Sequence, residues 1–344
     1  MKLSFMCGRR FVIAVAIIFV LLWASEVWLS PYCAAISFGT VLPHTPIILL
    51  MALGIYAGIA NRQKLAIAVY SVLFIASFIW SGFNVPIPAD KCGDQFGREG
   101  GSLRLATFNA FRLGYGDKQV RSMLTRTGAD IICLQEIGEE RVDRNFYPDT
   151  KDSWYRAWTW ELMVLSKYPI IWTKRLELSD PSIQSRPALA VRVKAPQGHI
   201  TIVDTHWTVI AHPYWLEKAK AEGCWGQMPS WISNAAALRE YQAKKMIALL
   251  KELEGPVVIA GDFNGGPGDP AFKMLMNFWG KDAFPAAGWG FGNTYTFGTR
   301  FPMMRLDHII VPKGWRVSFC APIPGVASDH RPLVADFHPF IEEK

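Results

Sequence analysis

The chain has 344 residues, of which 51% are hydrophobic and 19% charged, and its formal net charge is +7. Five cations and one acid among the first 84 residues supply +4 of that charge, so residues 85–344 carry only +3. This balance argues against the concentrated basic surface of a nucleic-acid-binding domain, and the absence of a Cys-x-x-Cys pair removes the usual indication of a zinc site.

Three long apolar runs, at residues 11–29, 34–60 and 65–82, fill the first part of the chain. Each is close to the length of about 20 residues that a membrane-spanning helix requires. We therefore predict a membrane anchor over residues 1–84 with about three transmembrane helices, followed by a linker over residues 85–101. The alternative for the first run is a cleaved signal peptide.

Cations flank these runs in a pattern that predicts orientation. Lys2, Arg9 and Arg10 precede the first run, and Arg62 and Lys64 separate the second from the third. Because cationic loops stay in the cytoplasm, we expect the rest of the chain outside it, at the inner (plasma) membrane and in the periplasm of a Gram-negative cell. The lipid bilayer is then a predicted partner, and no protein partner is inferred.

Short apolar runs alternate with amphipathic segments over residues 102–344, which is typical of an α/β domain with buried sheets. Helical spacing of apolar residues predicts helices at 117–127 and 234–253. Strands are predicted at residues 103–108, 130–135, 162–165, 188–193, 200–205, 256–260, 306–311 and 333–337.

Residues 207–233 hold five Trp or Tyr side chains, together with Pro213 and Pro229, and show no clear period. We interpret this segment as irregular. Its aromatic side chains either cover an edge of the core or form a lip that touches lipid or stacks on a ligand.

Polar side chains stand where predicted strands end or begin. Taken singly, an Asp after a strand is usually a turn or cap residue, and a His in a strand is usually structural. Their recurrence in one domain predicts instead that they share one site. These residues are Asn109, Glu136, His206, Asp262, Asn264, Asp307, Asp329 and His330.

This ordered set, with the surrounding Gln135-Glu136, Gly261-Asp262-Phe263-Asn264 and Ser328-Asp329-His330, resembles the endonuclease/exonuclease/phosphatase superfamily, the DNase I-like proteins. The resemblance covers about residues 103–337. It implies a four-layer α/β sandwich, in which two packed mixed sheets are flanked by helices, as the catalytic domain of residues 102–344. It also implies a phosphodiesterase that depends on Mg²⁺, with Mn²⁺ or Ca²⁺ as alternatives.

The resemblance, together with the preference of hard cations for oxygen ligands, suggests how the carboxylates and amides divide the work. Glu136 is the first choice of metal ligand, helped by Asn109 and Asp329. Asp262 would orient or deprotonate the attacking water, and Asn264 would donate a hydrogen bond to a phosphoryl oxygen of the substrate.

The histidines and their neighbours complete the expected set. His330 would carry a proton or stabilise developing charge, and the family pattern makes Asp307 the residue that orients it. His206 would contribute a second imidazole, which Glu161 could orient. Arg186 either binds a substrate phosphate, for which a guanidinium is suited, or forms a surface salt bridge.

The substrate class stays open between nucleic acid and a phospholipid or sphingolipid head group. His206 resembles the pattern of DNase I and sphingomyelinases, whereas AP endonucleases place Tyr at that motif. The alternative of a different class is a catalytically inactive binding or scaffold module of the same fold. The occupation of each expected polar position argues against that alternative.

Overall fold

The computed structural model describes residues 6–29, 44–85, 100–137, 146–151, 153–178, 186–210, 213–296 and 301–339. Its α-helices are α1 (Arg9–Leu29), α2 (Thr45–Ala60), α3 (Lys64–Trp80), α4 (Asp117–Thr127), α5 (Pro213–Glu222), α6 (Met228–Leu250), α7 (Pro270–Phe278) and α8 (Ala283–Ala287). Its β-strands are β1 (Leu103–Asn109), β2 (Ile131–Gln135), β3 (Tyr155–Thr159), β4 (Leu162–Ser166), β5 (Ile170–Leu176), β6 (Ala188–Ala195), β7 (Gly198–His206), β8 (Val257–Asp262), β9 (Gly280–Asp282), β10 (Asp307–Pro312), β11 (Arg316–Pro322) and β12 (Leu333–His338).

The strands form two six-stranded sheets, with the orders β11-β12-β1-β2-β4-β3 and β5-β6-β7-β8-β10-β9. Each sheet is mixed, because one central pair is parallel and its other neighbours are antiparallel. The parallel pairs are β1–β2 and β7–β8. The central strands β1, β2 and β8 are buried along their whole length, which explains why apolar residues predominate in their sequences.

Four layers result from the way the sheets and helices bury their apolar faces. Side chains such as Leu105, Val164, Ile202 and Val258 fill the space between the two sheets. Helix α4 packs on the outer face of the first sheet, and α6 and α7 pack on the outer face of the second. The predicted sandwich of two mixed sheets flanked by helices is therefore confirmed.

The prediction of transmembrane helices is wrong. Helices α2 and α3 have 16 and 17 residues, and at about 1.5 Å per residue they fall short of a hydrocarbon layer about 30 Å thick. Helix α1 is longer but includes Arg9, Arg10 and Glu26. In the described parts of the chain, no helix combines the length and the apolar character that crossing a membrane demands.

The predicted location at the inner membrane, with the domain outside the cytoplasm, is overturned by the same finding. It depended on three spans that alternate in direction. Two parts of the prediction cannot be compared with the structure: residues 34–43 of the second apolar run, and residues 86–99 of the linker, lie outside the described residues.

The aromatic segment of residues 207–233 is largely helical, contrary to the prediction. It contains α5, a 3₁₀ turn over Trp225–Gln227 and the beginning of α6. Pro213 and Pro229 stand in the first turns of α5 and α6, where a missing N–H costs nothing. The prolines therefore mark helix starts and do not indicate irregular chain.

Candidate active site

The two parallel strand pairs end at the same edge of the sandwich. Asn109 closes β1 opposite Gln135 of β2, and His206 closes β7 opposite Asp262 of β8. Strands β10 and β12 run antiparallel to β8 and β1, so their first residues lie at this edge too, with Asp307 opposite Asp262. Topology thus explains why strand starts and strand ends both carry site residues.

Asn109 links the two sheets through its side-chain amide. Its Nδ2 donates to Glu136 Oε1 at 3.1 Å and to Asp262 Oδ2 at 3.0 Å, and its Oδ1 accepts from the backbone N–H of Phe111 at 3.0 Å. The hydroxyl of Ser328 donates to the backbone oxygen of Asn109 at 2.8 Å. The amide of Asn109 therefore holds two carboxylates close together in a buried position.

His330 lies between two buried carboxylates. Its Nδ1 is 2.8 Å from Asp307 Oδ2, and its Nε2 is 3.6 Å from Asp262 Oδ2. Burial alone would lower the pKa of His330, but the charges of Asp307 and Asp262 outweigh it and raise the pKa to about 10. The imidazole is therefore protonated at neutral pH, and both ring nitrogens are donors.

Asp262 is the complementary ionised group. Its burial opposes ionisation, yet the positive charges of His330 and His206 and the hydrogen bond from Asn109 lower its pKa below the ordinary value. Its Oδ1 also accepts from the backbone N–H of Asn264 at 2.8 Å. At neutral pH this carboxylate is a base beside an imidazolium.

A second imidazole approaches the same oxygen of Asp262 as His330 does. His206 Nδ1 is 2.6 Å from Glu161 Oε1, and its Nε2 is 3.7 Å from Asp262 Oδ2 and 3.9 Å from Glu136 Oε1. Arg186 Nη1 lies 3.0 Å from His206 Nδ1 and 3.3 Å from Glu161 Oε1. Although burial opposes ionisation of Glu161, its contacts with His206 and Arg186 lower its pKa, so the carboxylate is charged.

Asn264 and Asp329 occupy loops beside this centre. Asn264 Nδ2 donates to the backbone oxygen of Trp207 at 2.9 Å, which leaves the second hydrogen of that amide for another acceptor. Asp329 Oδ1 accepts from Ser328 at 3.1 Å. Burial raises the pKa of Asp329, and the neighbouring charge of Glu136 raises it further.

Tyr295 is a site residue that the sequence patterns did not indicate. Its ring centroid lies 4.8 Å from that of His330. Burial and the charges of Asp329, Asp262 and Glu136 raise its pKa to about 12. Tyr295 pairs with Met304 and His330 only in isolated β-bridges and is not part of a strand, so no periodic sequence pattern marks its position.

The donor set fits a hard divalent cation. Glu136, Asp262 and Asp329 offer carboxylate oxygens at the same edge, and the charge of Glu136 adds to the effect of burial in raising the pKa of Asp329. Asp262, Asp307 and His330 have ligand atoms within 4.8 Å of one another. A metal would have to displace a proton from His330 before its nitrogens could ligate, so the carboxylate oxygens are the favoured candidate ligands.

Backbone strain is concentrated around the same centre. Seven described residues other than glycine have a positive φ, and all except Arg62 lie in the loops around the candidate site. These six are Phe111, Arg112, Leu113, Glu136, Trp160 and Asn264. Such conformations cost energy and recur at functional sites. The strain accompanies the hydrogen bond from the backbone N–H of Arg112 to the backbone oxygen of Glu136 at 2.9 Å.

Arg239 of α6 supports the site from behind. Its Nη1 donates to the backbone oxygens of Thr208 at 2.6 Å and Phe263 at 2.7 Å, and its Nη2 lies 3.0 Å from Asp269 Oδ1. Its side chain is fully buried. It therefore joins the loop that follows β7 to the loop that follows β8.

Comparisons with known proteins agree with this architecture. The chain is 26% identical over 257 residues to the uncharacterized protein YbhP of Escherichia coli (strain K12), which covers 67% of this chain and 92% of that protein. A crystal structure of an endonuclease/exonuclease/phosphatase family protein from Bacteroides thetaiotaomicron matches with a TM-score of 0.53 at 14% identity, over 70% of this chain and 98% of that chain.

A mannosyl-6-phosphatase of Bacteroides thetaiotaomicron has a TM-score of 0.52 at 15% identity, over 69% of this chain and 99% of its own. At these identities the two structures show the shared fold alone. The family model of the endonuclease/exonuclease/phosphatase family matches residues 106–330, which include the polar residues at the strand ends. The chain belongs to the endonuclease/exonuclease/phosphatase family.

Proposed function

We propose that this protein is a metal-dependent phosphoester hydrolase in which water attacks phosphorus at the strand-end site. The observation that carries the proposal is the geometry in which His330 Nε2 lies 3.6 Å from Asp262 Oδ2, with Asn109 joining Asp262 to Glu136. An acid and a base held in fixed positions can together contribute large factors to a hydrolytic rate.

A divalent cation, Mg²⁺ first and Mn²⁺ or Ca²⁺ as alternatives, would neutralise charge on the phosphoryl oxygens when bound. Glu136 would hold it with Asp329. Asn109 directs its Nδ2 toward the carboxylates, so its part would be to fix the Glu136 carboxylate beside Asp262. This refines the ligand role expected for Asn109 from the sequence.

The chain's own groups divide proton transfer and substrate binding between them. Asp262 would orient the attacking water and accept its proton as the bond between oxygen and phosphorus forms. His330, oriented by Asp307, would donate to the oxygen that departs as the ester bond breaks. His206, held by Glu161, would donate to a phosphoryl oxygen.

Two further donors would fix the phosphate. The free amide hydrogen of Asn264 is directed by the bond to Trp207. Arg186 is already placed against Glu161 and His206, so its guanidinium would act on the phosphate while remaining part of that group. This placement favours the substrate-binding interpretation of Arg186 over a surface salt bridge.

Nucleic acid and a phospholipid or sphingolipid head group are the substrate classes that we propose to test. A sugar phosphate joins them because a mannosyl-6-phosphatase shares the fold. Purified protein would be offered plasmid DNA, RNA, sphingomyelin, phosphatidylinositol, mannose 6-phosphate and bis-p-nitrophenyl phosphate, with Mg²⁺, Mn²⁺ or Ca²⁺ and then with EDTA.

We expect turnover of at least one ester that EDTA abolishes. His330→Ala and Asp262→Ala should each remove it while the circular-dichroism spectrum stays unchanged. Full activity in either variant would contradict the assignment. Absence of turnover with any ester and any of the three metals would favour the inactive binding or scaffold module.

A further inference from the structure

A cleft of about 610 Å³ lies between the N-terminal helices and the sandwich. Phe19, Trp23 and Trp80 line it from the helices, and Phe291 and Met304 line it from the sandwich. The site residues at the strand ends do not line it. Its volume falls within the range of about 300–1,000 Å³ that is usual for small-molecule sites, and its walls are mostly apolar.

One buried carboxylate faces this cleft. Glu26 is only 9% exposed. Its Oε2 accepts a hydrogen bond from Trp80 Nε1 and lies 3.5 Å from His44 Nε2. Its Oε1 receives no hydrogen bond from any described residue. A buried carboxylate is costly unless its charge is compensated, so the free oxygen marks a position that a cation would occupy favourably.

Aromatic rings surround that carboxylate. The ring centroids of Phe19 and Trp80 are 5.3 Å apart with planes at 80°, and those of His44 and Trp80 are 4.8 Å apart. The faces of aromatic rings attract ammonium groups, and the attraction is strongest for Trp. Rings and a carboxylate together form the environment in which proteins bind organic cations.

The cationic groups of the cleft do not cancel this preference. Arg305 Nη1 lies 2.5 Å from Asp282 Oδ2 in a buried ion pair, so its charge is compensated. Lys273 is exposed on α7, on the sandwich side of the cleft. The remaining buried acidic group of the cleft is therefore Glu26, which lies on the helical side with Trp80 and His44 on its Oε2.

We propose that this cleft binds an organic ammonium ion, an amine or quaternary ammonium group attached to an apolar body. The ammonium group lies against Glu26 and the rings of Phe19 and Trp80, and the apolar body lies against Phe291 and Met304. This binding does not depend on the hydrolase function, because it uses a separate set of side chains.

The test compares two probes of the same shape on the full-length protein. Benzyltrimethylammonium carries the charge, and neopentylbenzene is its neutral carbon isostere. Dissociation constants from ligand-observed saturation-transfer NMR should show the cation binding at least about tenfold more tightly, which corresponds to about 1.4 kcal/mol. Equal affinity for the two probes would overturn the proposal.

Variants locate the binding. Glu26→Gln should reduce the preference for the cation to less than about threefold, and Phe19→Leu, which keeps apolar volume, should weaken cation binding alone. Lys273→Gln, on the opposite wall, and Glu254→Gln, at an exposed glutamate elsewhere, should retain the preference. If Glu26→Gln does not fold, Phe19→Leu decides. An unchanged preference in a folded Phe19→Leu or Glu26→Gln variant would refute the assignment.

Discussion

Replacing Asp307 by Asn tests the acid–base assignment through the titration of His330. The carboxylate of Asp307 lies 2.8 Å from His330 Nδ1, and it is the strongest of the charges that raise the pKa of His330 to about 10. One opposite charge at such a distance shifts a pKa by about 1–3. We therefore expect the pKa of His330 in the variant to fall to between about 7 and 9.

In this mechanism His330 donates a proton, so only its protonated form is active and a lower pKa reduces activity at alkaline pH. A raised pKa keeps His330 protonated up to about pH 10, and activity is lost as the pH rises through that value. At pH 9 the wild-type imidazole is about nine-tenths protonated, whereas the variant imidazole is between about 1% and 50% protonated. The assay is the pH profile of kcat/KM with bis-p-nitrophenyl phosphate and Mg²⁺ from pH 6 to pH 10.5.

The chain contains a matched control for this variant. His308 Nδ1 lies 3.0 Å from Asp282 Oδ2, and both side chains are buried in the same sheet as Asp307. Asp282→Asn should lower stability while leaving the alkaline limb of the profile near pH 10. The reasoning is refuted if Asp307→Asn leaves that limb in place, or if Asp282→Asn moves it equally.

Glu161→Gln should lower kcat/KM by up to about 100-fold, because His206 loses the carboxylate 2.6 Å away that orients it; a change of less than twofold in steady-state assays would contradict this. Arg239→Met should lower the free energy of unfolding by about 3–5 kcal/mol, since it leaves the buried Asp269 without its partner, and urea denaturation at pH 7 measures the loss. Burial opposes ionisation of Asp282, but its Arg and His neighbours lower its pKa from 3.8, so its contribution to stability is present above about pH 4 and is lost as the pH falls further. The free energy of unfolding of the wild type should therefore fall more between pH 6 and pH 3 than that of Asp282→Asn. Equal decreases for the two proteins, measured by urea denaturation, would refute this pH dependence.

The sequence predicted the interior of both sheets but none of their edges. The eight predicted strands match β1, β2, β4, β6, β7, β8, β10 and β12. The four that were missed, β3, β5, β9 and β11, are the outermost strands of the two sheets. Interior strands are covered on both faces and appear as apolar runs, whereas an edge strand such as β5 exposes most of its side chains and so loses the apolar signal.

Helices were predictable where their periodicity was clean. Residues 117–127 match α4, but α6 begins at Met228 rather than at residue 234. The prediction placed Pro229 in an irregular segment, although proline is favoured in the first turn of a helix. The membrane prediction failed for a different reason. It counted apolar residues over whole runs, whereas the described helix in each run is too short or contains charged residues.

The convergence of the polar residues at the strand ends was predictable because topology concentrates them. Asn109 and Asp262 are distant in sequence and end strands of different sheets, yet Nδ2 and Oδ2 are 3.0 Å apart, since the packed sheets bring the ends of β1 and β8 to one edge of the sandwich. Tyr295 could not be anticipated, because its approach to His330 depends on irregular chain. The direction of the Asn109 amide, whose Nδ2 donates to Glu136 and Asp262, likewise depends on a local turn at Phe111.

The central claim is that water attacks phosphorus at this site with the help of a bound cation. Hydrolysis of bis-p-nitrophenyl phosphate in ¹⁸O-labelled water, with Mg²⁺ present, tests it directly by mass spectrometry of both products. We expect the label in p-nitrophenyl phosphate, none in p-nitrophenol, and no labelled product from Glu136→Gln or with EDTA. Label in p-nitrophenol, or labelled phosphate formed equally well by Glu136→Gln, would contradict the account.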